Sequence, residues 1–207
     1  MELSGQTRSF ELIGGNAALD LVNTLDWRFR ETGSEELVES YSDLLAFAEQ
    51  SGLVTTRQAR RLLRETDDTK AGSVLSAARE LREAAAEVFY AALEGGNPSS
   101  ASIAKLETLF KTARAQQRLI EDRSGLRWEW PAELSPELPL WQLALSAEDL
   151  LTSERLSMLR ACAKQDCRWL FLDTSKNHTR RWCDMKLCGN RMKARRFKAQ
   201  HRAETSA

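Results

Sequence analysis

This chain of 207 residues is short of histidine, proline, cysteine and net charge, and each shortage narrows what it does. It has two histidines, His178 and His201, and no evident nucleophile–base pair, so an enzyme is not expected. There is no apolar run of membrane-spanning length, no low-complexity tract and no internal repeat. A soluble globular protein with no membrane partner is therefore expected. The stretch Met1-Glu2-Leu3-Ser4-Gly5-Gln6 carries no apolar signal core, which points to the cytoplasm. The length suffices for one good core and a small satellite module.

The formal net charge of zero is an average over two unlike parts. From Arg160 onward there are 13 Lys and Arg against 4 Asp and Glu, net +9; residues 1–159 then hold 17 against 26, net −9. An acidic body carrying a basic, nucleic-acid-facing module fits this division. The plainer alternative is that charge merely follows surface area.

The four cysteines all fall in one short segment and read C-x4-C-x15-C-x4-C: Cys162, Cys167, Cys183 and Cys188. Two close pairs separated by a short excursion suit tetrahedral thiolate coordination of Zn²⁺, each pair forming a turn that aims two sulfurs at one ion. Two disulfides, four buried thiols and an iron–sulfur cluster are the rivals. Clustering in a highly charged segment argues against scattered core thiols, and disulfides need an oxidising compartment. The favoured reading is structural zinc, with a closed site that leaves no position for water.

Most of the chain ahead of that segment reads as helical. Arg8–Ile13 suggests a short strand, broken by Gly14-Gly15. Asn16 then caps a helix with Ala18, Leu21, Val22 and Leu25 on one face. Asp20, Asn23 and Thr24 lie on or beside that face, as pocket groups or, the favoured reading, as internal hydrogen-bond partners holding the helix to a loop. Helices follow over Ser42–Glu49 and Arg57–Arg64, the second burying Leu62 and Leu63. The clearest stripe is Ala71–Leu93, with Val74, Ala78, Leu81, Ala85, Val88 and Ala92. Gly95-Gly96-Asn97-Pro98 ends it, and Ser99–Gln117 supplies an antiparallel partner through Ile103, Leu106, Phe110 and Ala113. Alternating Leu126, Trp128 and Trp130 then suggest a hairpin with its tryptophans in the core, a stacking platform for bases being the alternative. Pro139–Leu151 resumes a helix.

The expected architecture is mainly α: a multihelical body with a small β-hairpin over 1–155, and a small treble-clef- or ribbon-like zinc module over 156–207. In the module, Arg168–Asp173 is strand-like. Asn190 stands where an N-cap belongs for a helix Arg191–Gln200 that carries Arg191, Arg195 and Lys198 on one face, with Lys193 and Arg196 beside it. With Arg180 and Arg181, these are the candidate DNA contacts. Neutralisation of the thiolate site and docking on the acidic body are the competing uses of that charge.

Cys188-Gly189-Asn190-Arg191 resembles the signature of the CGNR zinc-finger proteins, and Phe171–Ser175 with Arg180–Met185 is similar to the rest of that finger. Gly14–Thr24 resembles the opening of the ABATE domain that precedes it in such proteins. The resemblance covers nearly the whole chain. It implies a stress-induced transcription regulator of bacteria, with zinc on Cys162, Cys167, Cys183 and Cys188. Arg191 and the basic helix would then face DNA, and the body would sense a ligand or partner. RNA and an acidic protein surface are alternative partners, and a thiol redox sensor is an alternative role. A homodimer is compatible, although no leucine-zipper pattern demands one. On this reading, Cys183→Ser unfolds the finger and leaves the body largely folded.

Overall fold

The computed structural model describes residues 8–123 and 125–190, and the helix expected over Arg191–Gln200, with His201, lies outside them. The sequence's clearest stripe becomes its longest helix, α4 (Asp68–Glu94). Asp67 caps its first turn by accepting from the Lys70 N–H at 2.9 Å, and Gly95 ends it at φ +69°, a conformation open to glycine. Val74, Ala78, Leu81 and Ala85 are buried as expected, but the apolar face drifts toward Phe89, leaving Val88 half-buried and Ala92 exposed. Helix α5 (Ser100–Ala115) returns antiparallel along it, burying Leu106 and Ala113 while Ile103 is half exposed.

Around this pair pack α1 (Ala17–Asn23), α2 (Tyr41–Gln50), α3 (Thr56–Glu65) and α6 (Leu138–Leu151). Asn16 caps α1 as expected, accepting from the Ala18 N–H at 2.9 Å. Helix α2 starts one residue earlier than expected because Ser40 and Asp43 close a reciprocal capping box there. Thr55 and Gln58 do the same for α3. That helix buries Ala59 and Leu62, whereas Leu63 faces solvent. Helix α1, short and almost wholly buried, contacts α4, α6 and the C-terminal hairpin.

Residues 8–13 form no strand. The Phe10 N–H is taken by Gln50 Oε1 at 2.9 Å, and the Arg8 carbonyl by Gln50 Nε2 at 2.8 Å. Side chains thus replace the neighbouring strand that the pattern suggested.

Three antiparallel pairs complete the structure: β1 (Leu25–Asp26) with β2 (Glu35–Glu36), β3 (Arg118–Asp122) with β4 (Gly125–Glu129), and β5 (Leu159–Ala161) with β6 (Leu170–Leu172). The expected β3–β4 hairpin exists, but Trp128 is not in the core: it remains 54% exposed. The base of the hairpin is anchored through Trp130, stacked on Trp141 of α6 with ring centroids 6.1 Å apart. Between body and C-terminal module there is no linker. A 3₁₀ turn, Glu154–Met158, leads straight from α6 to β5. The architecture is mainly α with small hairpins and a C-terminal cysteine cluster, and none of the described helices is long and apolar enough to cross a membrane.

Candidate metal centre

The β5–β6 hairpin presents the first two cysteines. Cys162 follows β5 directly, its N–H donating to the Trp169 carbonyl at 2.8 Å. The chain then turns so that the Cys167 and Arg168 N–H groups both reach the Lys164 carbonyl at 3.0 Å. Cys183 and Cys188 come from a later turn, where the Cys188 and Gly189 N–H groups meet the Asp184 carbonyl at 3.0 and 3.1 Å. The Ala163 N–H, bonded to the Arg181 carbonyl at 2.8 Å, ties the two turns together. Gly189 is closely packed: a Cβ there would lie 2.6 Å from Sδ of the flexible Met185 side chain, which would have to move aside, and 3.2 Å from Trp182 Cδ1.

The four sulfurs lie within 4.8 Å of one another, and all four residues are buried. A ZnS₄ tetrahedron with bonds of about 2.3 Å has edges of about 3.8 Å. The Cys167–Cys183 separation is 3.7 Å. The chemistry of the set also fits a dication. With protons alone the thiols divide unequally: hydrogen bonds from Cys167 and then Cys183 hold Cys162 far below the usual thiol range. Bonding to Cys162 pushes Cys167 and Cys183 far up in turn. A central cation removes that conflict by stabilising four thiolates at once. These residues form a structural zinc site, and four thiolates complete a tetrahedron without a position for water.

Around the sulfurs is a small core of their own, containing Trp169 and Phe171, with Ile13 and Trp182 at its margin. The next residues in register, Leu170 and Leu172, belong instead to the core of the helical body. Strand β6 therefore serves two cores, one on each face, as the two-residue period of a strand allows. The body grips this strand with polar groups as well. Asn23 accepts from the Leu170 N–H at 2.8 Å and donates to its carbonyl at 2.9 Å. Trp169 Nε1 donates to Asp26 at 2.8 Å, and the Tyr90 hydroxyl donates to the Arg168 carbonyl at 2.9 Å.

Of the polar residues singled out in α1, Asn23 thus joins the body to the metal-binding strand. The Asp20 carboxylate accepts from the Gly14 N–H at 2.7 Å, and burial pushes its pKa up to about 6. Thr24 donates to the Leu21 carbonyl at 2.6 Å and accepts from Arg82 at 3.2 Å. The void beside the three measures about 10 Å³, at most the room one water needs.

The basic residues of the module divide by use. Arg180 lies across the Phe171 ring at 4.2 Å, donates from Nε to the Trp182 carbonyl at 3.1 Å and reaches the Cys183 carbonyl. It braces the second cysteine turn from within. Arg181, its neighbour, is exposed, with its guanidinium 5.7 Å from the centre of the Trp182 ring. Lys164 sits 4.0 Å over Trp27, and Arg168 stacks against Phe29 and Tyr90 while pairing with Glu94 at 2.5 Å. Part of the module's charge is therefore directed at the body. The other candidate contacts, Arg191, Lys193, Arg195, Arg196 and Lys198, lie outside the described residues.

Sequence reasoning passed over Asp173. Its carboxylate accepts from the Ser175 Oγ and N–H at 2.5 and 3.0 Å and from the Arg180 N–H at 2.8 Å, fixing the loop into the second turn. Those bonds, the Ser175 hydroxyl first, hold it below the usual carboxylate range. The signal available was an Asp followed two residues later by Ser, the pattern of an Asx turn.

No curated protein matches the chain. Family models match it twice. Residues 158–201 fit the CGNR zinc finger, and residues 15–154 fit the ABATE family, whose description reads "Putative stress-induced transcription regulator". The second match alone spans well over half of the 207 residues, so this protein belongs to the ABATE family and carries a CGNR zinc finger behind its helical body.

Proposed function

We propose that this protein is a cytoplasmic, zinc-dependent DNA-binding transcription regulator, and not an enzyme. On this reading residues 1–155 form the sensing body and 156–207 the DNA-facing finger. The observation that carries it is the concentration of a net +9 charge from Arg160 onward, on a module braced by four buried cysteines. Zinc holds the two cysteine turns in place when bound. Arg181 and the run Arg191, Lys193, Arg195, Arg196 and Lys198 contact phosphates and bases, while Arg180 holds the turn that presents them. A ligand or partner on the body acts through β6, since both cores share that strand.

The test is titration of zinc-loaded protein onto pooled genomic DNA fragments at several salt concentrations, beside an Arg191→Glu/Arg195→Glu/Arg196→Glu variant. Affinity that falls steeply with salt, is lost in the variant and enriches particular fragments supports the reading. Absence of binding by a zinc-loaded, folded finger overturns it and favours an adaptor that docks on an acidic protein surface.

A further inference from the structure

Two apolar features of the body, one convex and one concave, have no partner within the described chain. The convex one is the β3–β4 hairpin. Its register pairs Leu119 with Trp128 and Glu121 with Leu126, so these four side chains share one face. On that face Leu119, Leu126 and Trp128 are 52, 69 and 54% exposed. The opposite face is mostly polar: beside the half-buried Ile120, Arg127 pairs with Asp122 at 2.7 Å and with Glu129 at 2.9 Å. The hairpin is thus amphipathic with its apolar side outward. A two-stranded ribbon is marginal without cover on such a face.

The concave feature is a groove of about 600 Å³ between α4, α5 and the end of α6, walled by Val88, Ile103, Leu106, Phe110, Leu151 and Leu156. Its rim carries two ion pairs, Lys111 with Glu107 and Arg114 with Glu148. The hairpin of the same chain stays out of this groove, because the stack of Trp130 on Trp141 fixes its base.

We propose that the occupant of the groove is the hairpin of a second copy of this chain, in a reciprocal two-fold dimer. The groove runs along α5, and β3 begins three residues after that helix ends, so the two features form one continuous strip. Two such strips laid antiparallel put each hairpin on the other copy's groove, which is the self-complementarity a two-fold axis demands. Area argues the same way. A stable interface buries about 800 Å² per partner, and one hairpin face built on a single large aromatic and two leucines is too small to supply it. Reciprocal insertion engages a hairpin and a groove on each copy. Charge does not oppose this: Glu121 is the one acidic residue on the hairpin's apolar face, and Lys111 and Arg114 at the groove edge are each already paired, with Glu107 and Glu148 of the same edge. The interface is independent of zinc and of DNA binding.

The experiment is sedimentation equilibrium on the full zinc-loaded chain, beside Trp128→Glu on the hairpin and Ile103→Glu in the groove. Both positions are exposed in the single chain, so far-UV circular dichroism and zinc content should match the parent. Leu126→Lys replaces the hairpin variant if Trp128→Glu does not. The parent is expected to be a dimer that either variant weakens by roughly thirtyfold or more, as for loss of a central interface anchor. An equimolar mixture of the two variants is expected to recover a weaker heterodimer through its one intact hairpin–groove contact. A parent that stays monomeric at roughly 100 µM, a dimer indifferent to both variants, or a mixture with no heterodimer would overturn the proposal.

Discussion

The carboxamide of Asn23 pairs with both backbone groups of Leu170, 147 positions further along the chain, accepting its N–H at 2.8 Å and donating to its carbonyl at 2.9 Å. It acts as the next strand would, closing the open edge of β6 inside the molecule. Replacing it with Ala strands a buried donor and a buried acceptor at once, at about 1–3 kcal/mol each. Asn23→Ala is therefore expected to lose about 2–6 kcal/mol in urea unfolding. Because the strand lies between the two cores, helix loss and zinc release should remain one transition. Two separated transitions would show that the clamp is local.

The same strand changes what zinc removal does. Cys183→Ser was expected to unfold the finger alone, but Leu170 and Leu172 are part of the body's core. Burying a leucine contributes about 1.5–3 kcal/mol, so freeing both takes on the order of 3–6 kcal/mol from the body. Chelator-stripped protein and the Cys183→Ser variant should both show the body's helical signal melting at lower denaturant than in the zinc-loaded parent. A body transition that is indifferent to zinc contradicts the shared strand.

What the sequence conveyed and what it withheld follow from the range of the interactions. The cysteine pairs are local, so their spacing is readable, as are the caps at Asn16 and Thr55 and the stripe from Val74 to Ala85. Trp169-Leu170-Phe171-Leu172 is apolar at every position, so no alternation betrays that odd residues face the sulfurs and even ones the body. Asn23 read as a pocket group or an internal partner, since nothing near it in sequence names Leu170. The hairpin's alternation was visible through Leu126 and Trp128, but period alone does not say which face is covered. Arg180 and Arg181 are equivalent by charge, and only the positions of Phe171 and the Cys183 carbonyl separate a brace from an exposed cation.

Asp20 sets a pH dependence. Burial raises its pKa from 3.8 to about 6 in the folded chain, so between those values the folded state holds a proton that the unfolded state has released. Its contribution to stability is fully present below about pH 4 and is lost as pH rises through about 6, on the order of 3 kcal/mol in all. Asp20→Asn removes the titration. The stability of the parent minus that of the variant should fall between about pH 4 and 6.5. A difference that stays flat, or rises, refutes it.

Arg82 of α4 is the one buried cation of the body among the described residues, with its side chain 4% exposed. Its guanidinium grips Glu36 of β2 through two bonds of 2.7 Å, reaches Glu83 at 2.8 Å and touches Thr24 at the end of α1. Burial alone would raise the Glu36 carboxyl. The Arg82 bonds, the Val38 N–H and the charges of Arg82 and Arg79 together outweigh it and hold that carboxyl below its usual range. Arg82→Met should then cost about 3 kcal/mol, the low end for a broken buried pair, because it leaves the half-buried Glu36 with only Arg79, at 3.5 Å, as a cation. Arg82→Lys should recover only part of this, since an ammonium cannot make the paired contact. The double variant Arg82→Met/Glu36→Met should be less damaged than the sum of its parts by about 2 kcal/mol, as neither charge is left alone. A double-mutant cycle in urea measures this directly. Coupling below about 0.5 kcal/mol would mean that the pair is held by its surroundings and does not itself join α1 and β2 to α4.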